Sequence, residues 1–275
     1  MAYEEILMDV GDGIATITMN RPEKLNAWTG TMAEEIQAAM TDAGQRADVR
    51  VVILTGAGRG FCAGADMDSL SGISDSGSSG SNQSLRPVEI EEGLNLPMDF
   101  RQRVSYFPQV PKPVIAAING PAAGLGLVMS LYADMRFASE NAKFMTAFAK
   151  RGLIAEHGIS WMLPELVGLS NALDLLMSSR LIDAEEALHM GLVNKVFPAD
   201  SFMDDVKAYA EEMARFVSPR STKVMKRQVY NALFQNLAEA IGTGNEEMVR
   251  SFTTEDFKEG VAHFVEKRHP KFTGH

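Results

Sequence analysis

Gly60-Phe61-Cys62-Ala63-Gly64-Ala65-Asp66 and Asn119-Gly120-Pro121-Ala122-Ala123-Gly124-Leu125-Gly126 are two glycine-rich turns that carry the reading of this chain. Each follows a short apolar run, Val51-Val52-Ile53-Leu54 and Val114-Ile115-Ala116-Ala117-Ile118. Those runs read as buried strands. Glycine has no Cβ, so backbone N–H groups beside it can turn outward without a steric clash. Two converging backbone donors can hold a carbonyl oxygen as it gains enolate or alkoxide charge. One such turn would only connect structure; the reading rests on the pair.

Working outward from the turns, Ile6 to Met19 alternates apolar and polar residues around Gly11-Asp12-Gly13 and predicts a β-hairpin. Thr31 to Arg46 carries Met32, Ile36, Met40 and Ala43 at helical spacing and leads into the strand at Val51. Strand, turn and helix then recur, as in parallel α/β architecture. Leu127 to Ala133 predicts a helix whose N-terminus is the second turn, adding positive potential there. Met135 to Ala138 and Ala142 to Met145 predict short strands. Trp161 to Val167 predicts a short helix with Pro164 near its start. Helices are expected over Asn171 to Ser178, Asp183 to Met190 and Phe202 to Phe216. The tail is expected to be helical over Ser221 to Arg250 and Phe257 to Lys267, with Leu233, Leu237, Ile241 and Met248 forming an apolar stripe that needs a partner surface. Ser69 to Arg86 is low in complexity and rich in serine and glycine, which predicts a surface insertion or a flap over the adjacent turn.

The chain has 275 residues, 45% hydrophobic and 23% charged, with a formal net charge of -10. That length supports one large core with an appended smaller unit. The negative balance argues against nucleic acid as a partner, because duplex binding needs a basic face. No apolar stretch approaches a membrane span, and the start shows no targeting pattern, so a cytoplasmic location is expected. Cys62 is the single cysteine. It excludes an intrachain disulfide, fits a reducing compartment, and is expected to be a small packed residue. The five histidines show no zinc-ligand spacing, so no metal is expected.

The motifs Asn20 to Ala27, Val51 to Gly56, Phe61 to Met67, Lys112 to Gly120, Ala133 to Ala138 and Gly191 to Asn194 occur in an order that resembles the enoyl-CoA hydratase/isomerase (crotonase) superfamily, over nearly the whole chain. The resemblance implies an α/β crotonase-like core of repeated ββα units over residues 1–200, and a helical C-terminal trimerisation region over 201–275. It implies a homotrimer or a dimer of trimers. It further implies that the donors are the backbone N–H groups of Ala65 and Leu125, receiving the carbonyl of a coenzyme A thioester that is substrate rather than a permanently bound cofactor. Lys24, Leu25, Ala27, Ala63, Ala65, Asp66 and Met67 would then line the coenzyme A site. Lys267, in the basic segment Glu266 to Phe272, would meet its phosphates, often from a neighbouring subunit.

Many hydratases of the family carry two catalytic glutamates; alignment puts Val128 and Phe148 at those positions. Neither side chain can activate water. Gly152 to Pro164 resembles the segment where isomerases and dehalogenases of the family carry a catalytic aspartate, and Glu156 falls on that position. Glu156 is therefore the expected acid/base, with partial desolvation raising its pKa. His157 could orient or share a proton with it, although neighbours in an extended turn point apart. Trp161 resembles an aromatic wall of the acyl pocket. Tyr132, Asp66, Asp68, Glu246 and Glu247 are reserve polar candidates. The function implied is enoyl-CoA isomerisation or hydration through a stabilised enolate; the alternative is a non-catalytic acyl-CoA-binding member of the same fold.

Overall fold

The computed structural model describes residues 3–66, 90 and 93–275. The insertion at 69–86 thus lies outside the described residues. A hairpin of β1 (Ile6–Gly11) and β2 (Ile14–Met19) pairs Ile6 with Met19, in the expected antiparallel register. From β2 the sheet continues in parallel through β3 (Val51–Gly56), β4 (Val114–Ile118), β6 (Met135–Ser139) and β9 (Lys195–Phe197). Every residue of β3 and β4 is buried. The reason is that both faces of this sheet are covered, as a parallel sheet requires. On one face lie α1 (Gly30–Gln45) and the main core; on the other Phe202, Val206, Ala210 and Ala214 of α6 (Phe202–Phe216) pack on Val51, Ile53, Ile115 and Phe137.

A smaller sheet joins β7 (Lys143–Met145), the short strand expected over Ala142 to Met145, to β5 (Ala122–Ala123) and β8 (Ile182–Asp183), which the sequence pattern did not disclose. Those two strands are two residues long, too short to show a period of two. Between β5 and β6 runs α2 (Leu125–Leu131), starting at the second glycine turn itself. The helix α3 (Ile159–Val167) begins earlier than expected, so Pro164 stands inside it rather than near its start. The donor that proline lacks would have met the carbonyl of Ser160, an exposed residue in the first turn. Then follow α4 (Leu169–Ser178) and α5 (Ala184–His189).

The tail departs from expectation in its first helical stretch, Ser221 to Arg250, which divides in two. The tail helices are α7 (Pro219–Ala232), α8 (Leu237–Ser251) and α9 (Glu255–Glu266). Asn236 caps α8, accepting from Glu239 N–H while the Glu239 side chain accepts from Asn236 N–H. Such a reciprocal cap starts a new helix, and the continuous apolar stripe concealed it. The stripe itself faces outward: Leu237 is 77% and Ile241 54% exposed. α7 is fastened to the core through charge. Lys226, buried, pairs with Asp134 at 2.7 Å and donates to the carbonyl of Lys112; Tyr230 donates to the same aspartate at 3.0 Å. Asp134 also accepts from Val114 N–H, which ties that helix to the start of β4. Arg136, buried, donates to the carbonyls of Ala133 and Leu192 and so closes the end of α2. Among the described residues no helix is long and apolar enough to cross a membrane.

Candidate active site

The two glycine turns meet because three positions leave no room for a side chain. A Cβ on Gly126 would lie 2.3 Å from the carbonyl oxygen of Cys62, and one on Gly120 would lie 2.1 Å from that of Arg59. Gly64, at φ +99°, has Ala123 and Gly124 as its neighbours. Pairing between the turns is parallel: Cys62 N–H donates to Pro121 and Ala123 N–H donates to Cys62.

This pairing directs the two N–H groups. Ala65 bridges Trp28 in parallel, with Trp28 N–H donating to Gly64 and Asp66 N–H donating to Trp28. In such a bridge the N–H of Ala65 itself points away from Trp28. Leu125 is the first residue of α2, where N–H groups have no intrahelical acceptor. Neither N–H donates a hydrogen bond among the described residues. Both residues line one small cavity of about 70 Å³, together with Ala63, Phe148, Arg151, Glu156 and His157.

Glu156 therefore does reach the glycine turns. Its side chain is 34% exposed, and burial pushes its carboxyl above the usual range. His157 is 30% exposed at the side chain, and its pKa is lowered by burial and then by the nearby charge of Arg103. The expectation that these neighbours point apart is overturned. His157 at φ +54° and Gly158 at φ +75° break the extended alternation, and Nε2 of His157 comes within 3.7 Å of the Glu156 carboxylate. That separation is too long for a hydrogen bond. Tyr132, a reserve candidate, donates to the His157 carbonyl at 2.8 Å and so holds this left-handed corner. Val128 is fully buried in α2, while Phe148 faces the cavity. Trp161 stacks on Phe234 at 5.5 Å and meets Phe100 edge-on.

The remaining reserve residues lie elsewhere. Asp66 is buried and accepts from Arg21 at 2.9 Å, an ion pair that braces the turn. Glu247 is buried among Arg220, Arg227 and Arg250, and Glu246 is exposed beside Arg250, both on α8. Met67 and Asp68 fall outside the described residues. Cys62 is fully buried, its thiol pushed up to about 12 by desolvation, as a packed residue should be. Among the described residues no group of His, Cys, Asp and Glu could hold a metal ion.

Of the expected coenzyme A residues, Lys24 ends an exposed 3-10 turn. The Leu25 carbonyl accepts from Ala63 N–H and the Ala27 carbonyl from Arg21, which draws that loop onto the first glycine turn. Lys267 is exposed at the end of α9. A few residues on, Phe272 accepts from Arg50, just before β3, whereas the glycine turns follow the far ends of β3 and β4. Within one chain Lys267 therefore belongs to the opposite end of the sheet.

Asn26, within the Asn20 to Ala27 motif, holds the approach to the first glycine turn. Buried at φ +55°, it donates to the carbonyls of Ala57 and Gly60 and accepts from Arg21 N–H. Asn119 grips the same turn from the other side through Gly56 N–H and the Gly58 carbonyl. An asparagine is a signal for a left-handed, multiply bonded corner, since it tolerates that backbone and has donors and an acceptor.

Comparison with known proteins agrees with this geometry. A family model described as enoyl-CoA hydratase/isomerase matches residues 9–275. The chain is 35% identical over its full length to the "Probable enoyl-CoA hydratase" of Rhodobacter capsulatus, covering 100% of that protein. It is 31% identical to the 1,2-epoxyphenylacetyl-CoA isomerase of Escherichia coli, covering 98% of this chain and 99% of that one. The crystal structure of an enoyl-CoA hydratase from Bacillus anthracis superposes with a TM-score of 0.85 at 31% identity, over 99% of this chain and 100% of that chain.

Proposed function

The chain belongs to the enoyl-CoA hydratase/isomerase family and is an enzyme of that family, and from that premise we propose that it shifts the double bond of an enoyl-CoA thioester with Glu156 as the proton carrier. The observation that carries this reading is that Glu156 lines the same cavity as Ala65 and Leu125, while Val128 and Phe148 leave the two other family positions without an acid. The thioester carbonyl would accept from the N–H groups of Ala65 and Leu125. Glu156 would take a proton from the carbon next to the double bond, the electrons moving through it onto the held oxygen as a dienolate. The same carboxylic acid would then return that proton to Cα, so that the double bond moves and nothing is added. Stabilising charge on a fixed oxygen by preset donors is worth several kcal/mol in comparable sites, roughly 3–4 for a single donor.

Hydration needs a second group to handle the water proton, which disfavours it when one carboxylate is present. The isomerase name of the Escherichia coli relative supports rearrangement of an acyl-CoA without addition of water. The test uses Glu156→Gln, nearly isosteric, against a panel of enoyl-CoA thioesters in isotopically labelled water. Isomerisation relocates the double bond without labelled oxygen, and turnover falls roughly 10²- to 10⁴-fold in the variant with binding little changed. Labelled oxygen at Cβ would identify hydration. Coenzyme A-dependent thermal stabilisation without any turnover would identify a binding protein instead.

The helical region 201–275 would supply an assembly surface in this proposal, because apolar residues of α8 and α9 such as Leu237, Ile241, Phe264 and Val265 are exposed in the single chain. A trimer or a dimer of trimers would cover them and would bring Lys267 of one copy toward the coenzyme A site of another. The lone buried Cys62 is in keeping with a reducing, cytoplasmic setting.

A further inference from the structure

A second cavity, about 490 Å³, opens on the far side of His157. His157 lines both it and the small cavity at the glycine turns, so it stands between them. The second cavity has the size of a small-molecule pocket. Phe100, Trp161 and Phe234 wall it, with their rings in mutual contact. Into this aromatic setting comes the guanidinium of Arg103, partly buried. Among the described residues Arg103 makes no hydrogen bond or ion pair. Asp99, at the exposed rim of the same cavity, does not pair with it. The charge of the exposed Glu34 acts on it, yet burial is the larger effect and lowers its pKa.

A guanidinium taken partly out of water without an anion is an uncompensated cost, and a planar fork of donors suits a carboxylate. We infer that this cavity receives the distal end of the acyl chain and that Arg103 binds a carboxylate there, so that ω-carboxyacyl-CoA thioesters are the preferred substrate class. The inference rests on the proposed function, since it places the thioester carbonyl at the glycine turns and the chain running past Glu156 and His157. His157 keeps the two negative groups, Glu156 and the substrate carboxylate, on opposite sides of the corner. Aromatic walls exclude water from the pair and strengthen it.

The experiment separates the two claims by using saturated thioesters, which bind without needing Glu156 to react. Adipoyl-CoA and suberoyl-CoA are titrated calorimetrically against hexanoyl-CoA and octanoyl-CoA, with phenylacetyl-CoA as a further arm. The expected result is a preference of roughly 10- to 100-fold for the carboxylated member of each pair, the worth of a charge-assisted bond. Arg103→Leu should bring that ratio close to one, and Arg103→Lys should keep part of it, with unfolding midpoints confirming that both variants fold. Equal binding of each pair by the unaltered protein, or a ratio that survives Arg103→Leu, overturns the inference and leaves the proposed function standing. Tightest binding of phenylacetyl-CoA, insensitive to Arg103→Leu, assigns the cavity to an aromatic ring and likewise overturns it. Absence of binding by every thioester sinks the proposed function and this inference together.

Discussion

Replacing Gly126 with alanine tests whether contact between the two turns positions the donors. The added methyl carbon would stand 2.3 Å from the Cys62 carbonyl oxygen and 2.7 Å from its Cβ, where ordinary contact begins at 3.4 Å. Both neighbours belong to the backbone or lie next to it in a fully buried segment, so no flexible side chain can swing aside. The turns must part by roughly 1 Å, a displacement that can cost about 10²-fold in a positioned reaction. Overpacking of this kind destabilises by about 1–3 kcal/mol. Gly242→Ala is the control: it lies on an exposed part of α8 with nothing within 4 Å of the new carbon. It should leave turnover alone and stabilise by up to about 1 kcal/mol through helix propensity. Turnover of an enoyl-CoA substrate and denaturant unfolding are measured on all three proteins. Gly126→Ala with unchanged turnover, whether or not stability falls, would show that the donors do not depend on this contact and would refute the reasoning.

Asn26→Ala removes the side chain that satisfies the Ala57 and Gly60 carbonyls, so unfolding free energy should fall by roughly 2–4 kcal/mol; a loss below the error of denaturant titration would deny it that role. Burial raises the Glu156 pKa, so a base at this position loses its active carboxylate as pH falls through a value above the ordinary glutamate range. The acid limb of kcat/KM should sit there, and a limb at the ordinary carboxylate position contradicts the assignment. The same shift makes the ionised carboxylate a cost to folding that grows as pH rises from the unfolded to the folded pKa. Glu156→Gln should therefore gain stability relative to the unaltered protein across that window. Light scattering should show three or six copies per particle, and a monodisperse monomer at micromolar concentration would remove both the assembly proposal and the cross-subunit role of Lys267.

The elements that position the glycine turns were legible because their cause is local. In β3 and β4 an unbroken apolar run records burial on both faces, and the glycines record backbone contact that any Cβ would prevent. The hairpin at Ile6 to Met19 was legible for the same reason, its turn and alternation lying within one short window. What failed was long-range or very short. β5 and β8 exist only because distant segments pair, and no residue pattern two positions long announces that. The break between α7 and α8 was hidden because exposed apolar residues, Leu233, Phe234 and Leu237 among them, continue through it.

The corner at Glu156 and His157 shows the limit most clearly. Their adjacency in sequence argued for opposite directions, and only two successive left-handed residues turn them toward each other. A histidine at positive φ is uncommon and costs strain, which the structure offsets by the Tyr132 hydroxyl on the His157 carbonyl. A Cβ on Gly158 would come within 2.4 Å of that hydroxyl, so glycine there is required by the same bond. Thus Tyr132, Gly158 and His157 form one device. It points Glu156 into the small cavity, beside Arg151, and sets His157 between that cavity and the aromatic one, which Arg103 lines.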